Sequence, residues 1–295
     1  MKKVLISGGS GLVGTALTDL LVEKGFAVAH LSTRKNYKRK GIESYYWNPV
    51  KGKLDPKSFQ DVGVVIHLAG AGIADKRWTT ERKKVVIDSR VESAKLLTDF
   101  MQNNEHQVKR FIGTSAIGYY GDRNEVLTEE SSPGSGFLAE VCQLWEASYE
   151  AVPLEVSSAI LRLGVVLSMN GGALPEMMKT MPFFMGVLGS GKQIYSWIHL
   201  EDIAGIFLHL IENESLTGTY NAVAPQPNSQ RSMAEFIAKQ KGVVTLPAPE
   251  FALTLALGEM KEVVLNSQNC SASKILKTAY KFKFANLNEA LENLL

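Results

Sequence analysis

Val4-Leu5-Ile6-Ser7-Gly8-Gly9-Ser10-Gly11-Leu12-Val13-Gly14 is the stretch of this 295-residue chain that decides its fold. A short apolar strand runs into glycines spaced G-x-x-G-x-x-G and then into the amphipathic pattern Leu17, Leu20, Leu21. Strand, glycine turn and helix in that order are the context in which such a fingerprint reads as a dinucleotide site. Gly8 permits the tight turn, Gly11 lets the backbone approach a pyrophosphate, and Gly14 lets the helix pack on the strand. The anion then meets a helix N-terminus, where free N–H groups and the helix dipole favour negative charge. Because Gly9 shifts the reading by one, G-x-G-x-x-G is satisfied as well.

Outward from this turn, apolar runs at 27–31, 62–68, 110–115 and 158–167 alternate with helical patterns. Ile87, Val91, Ala94, Leu97 and Met101 recur at helical spacing and make one apolar face of a long helix. The alternation predicts an α/β chain: a Rossmann-type doubly wound parallel sheet covered on both faces. After Leu167 the texture changes, with Gly171-Gly172, a Met- and Phe-rich stretch over 177–185, and glycines at 186, 189 and 191. We therefore expect a nucleotide-binding domain over 1–167 and a smaller C-terminal α/β lobe over 168–295. Short apolar runs around Ile198 and over 219–223 are expected to return 195–224 to the sheet. Helical patterns at 234–238 and 253–257 fill the end of the chain without a recognisable catalytic motif.

Bulk composition narrows the partners. With 45% hydrophobic residues the chain can bury a sizeable core, and a formal net charge of +2 gives no general attraction to nucleic acid or an anionic membrane. The two cysteines, Cys142 and Cys270, lie far apart without metal-ligand spacing, so neither a disulfide framework nor a metal site is expected. The N-terminus enters the first strand directly and no apolar run approaches bilayer-spanning length, which predicts a cytoplasmic protein.

The second strand ends Leu31-Ser32-Thr33-Arg34-Lys35. In dinucleotide sites an acid near this point takes the ribose 2′-hydroxyl, whereas an arginine accommodates a 2′-phosphate. Hydroxyls and cations stand here and no carboxylate does, so NADP(H) is the expected cofactor. Lys38, Arg39 and Lys40 continue the positive charge and read equally as a solvated basic loop.

Several segments together resemble the extended short-chain dehydrogenase/reductase family: the glycine turn, His67-Leu68-Ala69-Gly70, Thr114-Ser115-Ala116 with Tyr120-Gly121, and 197–202. More narrowly, Lys76-Arg77-Trp78, Asp88-Ser89-Arg90, Phe137-Leu138-Ala139-Glu140, 162–167 and Gly189-Ser190-Gly191-Lys192-Gln193 resemble its atypical, epimerase-annotated branch. Proteins of that branch carry a C-terminal extension of unknown function, and Asn221 to Pro225 with Gly258-Glu259-Met260 extend the match. The resemblance implies that Gly8, Gly11, Leu12 and Gly14 hold a pyrophosphate, with Ser32, Thr33 and Arg34 at the 2′-phosphate. It implies also that His67, Leu68, Ala69 and Gly70 line the adenine and ribose side. Lys84 and Ser89 are similar to family positions that reach the cofactor, and equally read as solvated helix residues.

Members of the family use a Tyr with a Lys four residues later on one helix face, the ammonium lowering the phenol pKa for proton transfer. The corresponding stretch here is Gly136-Phe137-Leu138-Ala139-Glu140-Val141-Cys142, with neither residue. The family's Ser or Thr position is Ala116, and Ser115 stands one residue early. Ser115, Tyr119, Tyr120 and Glu140 remain as candidate replacements. Asp202, ahead of an apolar helical run, reads as a helix-start residue and His199 as a local packing group. Gly189, Gly191, Lys192 and Gln193 are expected to touch a polar or anionic small-molecule substrate, a sugar nucleotide being the family's commonest association. Two functions stay open: an NADP(H)-dependent oxidoreductase or epimerase-like enzyme, and a non-catalytic NADP(H)-binding regulator or scaffold.

Overall fold

The computed structural model describes residues 3–295. Its eight-stranded sheet runs in the order Gly218–Ala222, Ser157–Leu163, Arg110–Ala116, Val62–His67, Lys3–Ser7, Val28–Ser32, Glu43–Asn48, Lys53–Leu54. All neighbours are parallel except the last pair. The β-branched runs suit this arrangement, because a parallel strand between two helical layers is apolar on both faces, and every residue of Val62–His67 is buried. On one face lie the helices Leu12–Glu23 and Leu200–Glu212, packed with Val4, Ile6, Ile66, Leu161 and Phe207. On the other lie Thr80–Asn103 and Phe137–Ala147, over Leu5, Val65, Leu97, Phe111 and Trp145. Chain order reverses beside Lys3–Ser7, so the ligand crevice of an open α/β sheet falls at the carboxyl ends of that strand and Val62–His67.

Apart from the large sheet, Gln230–Lys241 packs against the parallel pair Phe184–Leu188 and Val244–Ala248, with Leu287–Leu294 packed on that helix. Met185, Val187, Trp197, Met233, Ile237 and Leu291 form the core of this part. Val165–Leu167 pairs in parallel with Trp197–His199 in a separate short sheet.

Asp202 stands in the first turn of Leu200–Glu212, as expected of a helix-start residue, and its carboxylate also holds the end of the chain. His199 caps Leu200–Glu212, its Nδ1 accepting from Glu201 N–H at 3.2 Å. Asp202, buried in the first turn, accepts from Lys283 N–H at 2.7 Å, Phe284 N–H at 3.0 Å and the Tyr280 hydroxyl at 3.2 Å. Burial pushes its carboxyl above the ordinary value and these donors pull the other way. A buried acceptor with these partners fixes the end of the chain onto the sheet layer. His199 meets the Phe284 ring at 4.0 Å between centroids, on the same contact.

Two further histidines are fully buried in the sheet, and burial holds His30 down to about 4 and His67 to about 3. Both are neutral in the folded chain and charge more easily when it unfolds, so their stabilisation is present above the unfolded pKa of 6.5. It is lost as pH falls from there towards the folded values. At pH 5 each costs about 2 kcal/mol of unfolding free energy relative to pH 7. Urea unfolding at pH 7 and pH 5 checks this, with a steep loss expected over that interval and a flat profile counting against it.

Candidate functional site

At the crevice, Gly8 has a φ of +76°, and a Cβ there would lie 2.8 Å from the carbonyl carbon of Leu68 and 2.9 Å from Ala69 N. The turn can press this close to the neighbouring strand end only as glycine. A Cβ on Gly14 would fall within van der Waals distance of Gly8 O and 2.7 Å from Gly9 Cα, so the helix packs directly on the turn. Gly11 differs: its φ is −79° and a Cβ would meet only Gly8 O, at 3.3 Å, which leaves the space in front of it open. It is the N-cap of Leu12–Glu23, which has no side-chain cap and no acid in its first turn. Unclaimed N–H groups and an open cradle fit a pyrophosphate, and Leu12 sits within reach of Gly172, where a Cβ would be 3.2 Å from its side chain.

At the end of the second strand, Ser32 is buried and its Oγ accepts from Arg34 N–H at 3.1 Å. Thr33 and Arg34 are exposed. The Arg34 guanidinium lies over the Tyr37 ring at 4.9 Å, and among the described residues no carboxylate pairs with it. Arg39, by contrast, is paired with Asp19 of the first helix.

Beyond Val62–His67 the chain divides its work between backbone and side chain. The His67 ring is fully buried, with Nδ1 2.8 Å from the Tyr149 hydroxyl and Nε2 2.7 Å from Ser93 Oγ. Both ring nitrogens are thus committed inside the core, and the His67 carbonyl accepts from Thr114 Oγ1 at 2.8 Å. Leu68 and Ala69 are half-buried and Gly70 is exposed beside the glycine turn. Ser89 accepts from Ala71 N–H at 2.9 Å and so shapes the loop after this strand. Lys84 points to solvent and pairs with Asp88 at 2.6 Å on its own helix.

The four replacement candidates sit in different surroundings, and the buried Ser115 Oγ has no hydrogen-bond partner among the described residues. Ser115 is buried beside the Cys142 thiol, which burial pushes up to about 11. Tyr120 is fully buried; its hydroxyl donates to Asn221 Oδ1 at 2.7 Å and accepts from Arg162 Nη1 at 2.9 Å. Burial raises that phenol further, against the pull of Arg162. Tyr119 is half-buried under the Arg162 guanidinium, 3.5 Å from the ring centroid. Glu140 faces solvent.

In the stretch where the resemblance leads us to expect a Tyr and a Lys, Phe137 and Val141 are both buried in a cluster with Trp78 and Val86. Trp78 meets Phe137 edge-on at 4.8 Å and donates its indole N–H to Ile73 O at 2.9 Å. Met260 and Val263 of the C-terminal extension pack on the same cluster. Sequence reading missed this closure, whose signal was the cationic segment 76–84. Arg77 donates to Leu255 O at 2.8 Å and Ala256 O at 2.7 Å, and Lys83 pairs with Glu259.

The loop expected at a substrate is anchored to the same extension. Gly189 and Gly191 have positive φ, and a Cβ on Gly189 would lie 2.7 Å from Leu265. Gln193 is buried and donates to Leu188 O at 3.0 Å and Val264 O at 3.1 Å. Its amide N–H groups are therefore spent inside the protein, and of this loop Ser190 and Lys192 stay exposed. Among the described residues no group of His, Cys, Asp and Glu could hold a metal ion, and no helix is long and apolar enough to cross a membrane.

Comparison with known proteins agrees with this architecture. Residues 4–222 match the NAD dependent epimerase/dehydratase family, and residues 248–294 match a domain of unknown function, DUF1731. An epimerase family protein of Staphylococcus saprophyticus is 35% identical, across 100% of this chain and 99% of its own length. The crystal structure of the human epimerase family protein SDR39U1 with NADPH is similar at a TM-score of 0.87 and 28% identity, covering 99% of this chain and 98% of that one. A nucleoside-diphosphate sugar epimerase from Corynebacterium glutamicum gives a TM-score of 0.80 at 30% identity, covering 99% of this chain and 58% of that one. With its glycine turn, switch-point crevice and end-to-end relatives, the chain belongs to the NAD dependent epimerase/dehydratase family, in a form that carries the DUF1731 extension.

Proposed function

We propose that this protein is an NADP(H)-dependent oxidoreductase or nucleoside-diphosphate-sugar epimerase-like enzyme that works without the Tyr-x-x-x-Lys pair. The observation that carries the cofactor choice is Arg34, an exposed guanidinium with no carboxylate beside it, at the strand end where an acid would select a 2′-hydroxyl. The human relative whose structure was determined with NADPH supports the same choice. In this reading Gly8, Gly11, Leu12 and Gly14 hold the pyrophosphate, and Ser32, Thr33 and Arg34 hold the 2′-phosphate. Leu68, Ala69 and Gly70 line the adenosine side. A bound nicotinamide supplies hydride chemistry, and the protein's part is to orient it and keep water away. Trp78, Phe137 and Val141 offer an apolar wall suited to excluding water.

Arg34→Ala is expected to weaken NADPH about tenfold while leaving NADH within about twofold, since one charge-assisted contact to the 2′-phosphate is removed. Fluorescence titration of both nucleotides checks this. Equal or tighter NADH binding by the unaltered protein sinks the cofactor choice.

A second reading, an NADP(H)-binding regulator without turnover, is favoured by one observation. Phe137 and Val141, in the helix where the pair is expected, are packed by Met260 and Val263 of the extension. Incubation with NADPH and a metabolite extract, followed by absorbance and mass changes, separates the two. Substrate-dependent oxidation supports the enzyme; tight NADPH binding with no oxidation beyond a Gly11→Asp control supports the regulator.

A further inference from the structure

Arg34 is held in its place by a chain of contacts that begins inside the sheet. His30, on the strand Val28–Ser32, is fully buried directly beneath the glycine turn, and a Cβ on Gly9 would lie 2.5 Å from its ring. Its Nε2 is 2.8 Å from Thr18 Oγ1, and the Thr18 hydroxyl donates to Gly14 O at 2.6 Å. A hydroxyl whose proton is committed to a carbonyl can only accept from a neighbouring ring nitrogen, so Nε2 carries the imidazole proton. Nδ1 is then a bare lone pair, and the Tyr37 hydroxyl, 3.2 Å away, donates to it. Burial, with Arg39 adding to it, keeps the ring neutral, in agreement with this order.

Tyr37 lies between His30 and Arg34. Its ring is nearly parallel to the His30 ring, at 21° and 5.9 Å between centroids, and it carries the Arg34 guanidinium at 4.9 Å. Tyr37 N–H donates to Arg34 O at 3.1 Å, closing a turn in which the two residues are i and i+3, and Arg34 N–H is held by Ser32 Oγ at 3.1 Å. Arg34 is thus fixed at its own amide and carbonyl and at its guanidinium.

We infer that Tyr37 is a positioning residue that sets the preference for a 2′-phosphate, holding Arg34 in place through its ring and through its hydrogen bond to His30. The inference rests on the NADP(H) reading above and adds its structural cause. A flexible arginine loses rotamer entropy on gripping a phosphate, whereas one already stacked and turned has less to lose. The relay also joins the two phosphate sites. Thr18 and His30 connect the first turn of the pyrophosphate helix to the loop that bears Arg34.

The test titrates NADPH, NADH, 2′,5′-ADP and 5′-AMP against the unaltered protein, Tyr37→Phe, Tyr37→Ala, Arg34→Ala and the Arg34→Ala/Tyr37→Ala pair. Tyr37→Ala, which loses stacking and hydrogen bond, is expected to weaken NADPH and 2′,5′-ADP about tenfold and leave NADH and 5′-AMP within about twofold. Tyr37→Phe keeps the ring and is expected to lose about threefold. In the Arg34→Ala background the Tyr37→Ala effect should vanish, because the two act as one unit. Thermal unfolding verifies that each variant is folded. An equal loss for NADPH and NADH, or an unchanged ratio, overturns the assignment while leaving the NADP(H) reading intact. No preference for NADPH in the unaltered protein overturns both.

Discussion

Gly14→Val is expected to weaken NADPH at least about a hundredfold and to lower unfolding stability by about 3 kcal/mol. The first helix rests directly on the turn at this position, where even a Cβ would overlap Gly8 O and lie 2.7 Å from Gly9 Cα. A branched side chain must therefore push the helix N-terminus off the turn. The N–H groups proposed to face a pyrophosphate are displaced together with it, so binding and packing should fail at once. Gly11→Ala separates the two effects. Its Cβ would meet only Gly8 O, at 3.3 Å, so the fold should survive while the space in front of the helix is narrowed. Nucleotide titration alongside urea unfolding reads both quantities. A Gly14→Val protein with unaltered stability and NADPH affinity would falsify this account of the turn.

Arg162→Ala should be among the most destabilising single substitutions outside the glycine turn, costing about 3–5 kcal/mol. Arg162 Nη2 pairs with Glu146 Oε2 at 2.8 Å and its Nε donates to Glu146 Oε1 at 2.9 Å, with the two side chains 5% and 12% exposed. Alanine leaves the Glu146 carboxylate largely out of water without its cation, and removes the donor to the Tyr120 hydroxyl. Replacing both partners, Arg162→Met with Glu146→Leu, is expected to recover a large part of the loss, because no buried charge is then left unpaired. Chemical unfolding of the singles and the double measures this coupling. A single substitution within about 1 kcal/mol of the unaltered protein would show the pair to be dispensable.

The same ion pair sets the surroundings of the adjacent tyrosines, which the sequence offers as candidate proton donors. In the sequence Tyr119 and Tyr120 are simply two phenols near a strand end that family members use for chemistry. In the folded chain one lies under the Arg162 guanidinium and the other is locked between Arg162 and Asn221. The partners of Tyr120 come from strands 42 and 101 residues away. Gln193 is a parallel case, a polar side chain in a glycine-rich loop whose donors go to Leu188 and to Val264, 71 residues on. Hydrogen-bond capacity is visible in a residue type; whether a fold has already used it is not.

What the sequence determined by itself was local. Strand, glycine turn and helix are contiguous, and the φ of +76° at Gly8 and the close packing at Gly14 are demands that only glycine meets, so residue identity records them directly. The apolar alternation that yields a parallel sheet is likewise written in consecutive residues. The lack of an acid after Leu31 and the loss of the Tyr-x-x-x-Lys pair were equally legible, being questions of which residue stands at one position.

Tertiary structure alone decided what Phe137 and Val141 pack against and who holds whom. Phe137 and Val141 meet Trp78, Met260 and Val263, and Arg77 reaches carbonyls of the C-terminal extension 178 and 179 residues ahead. Asp202 secures Lys283 and Phe284, and His30 props the tyrosine under Arg34. Each of these depends on burial and on a partner distant in sequence or on another element. Burial is a property of the closed fold, so it sets which side chains are consumed by structure and which remain free to meet a ligand.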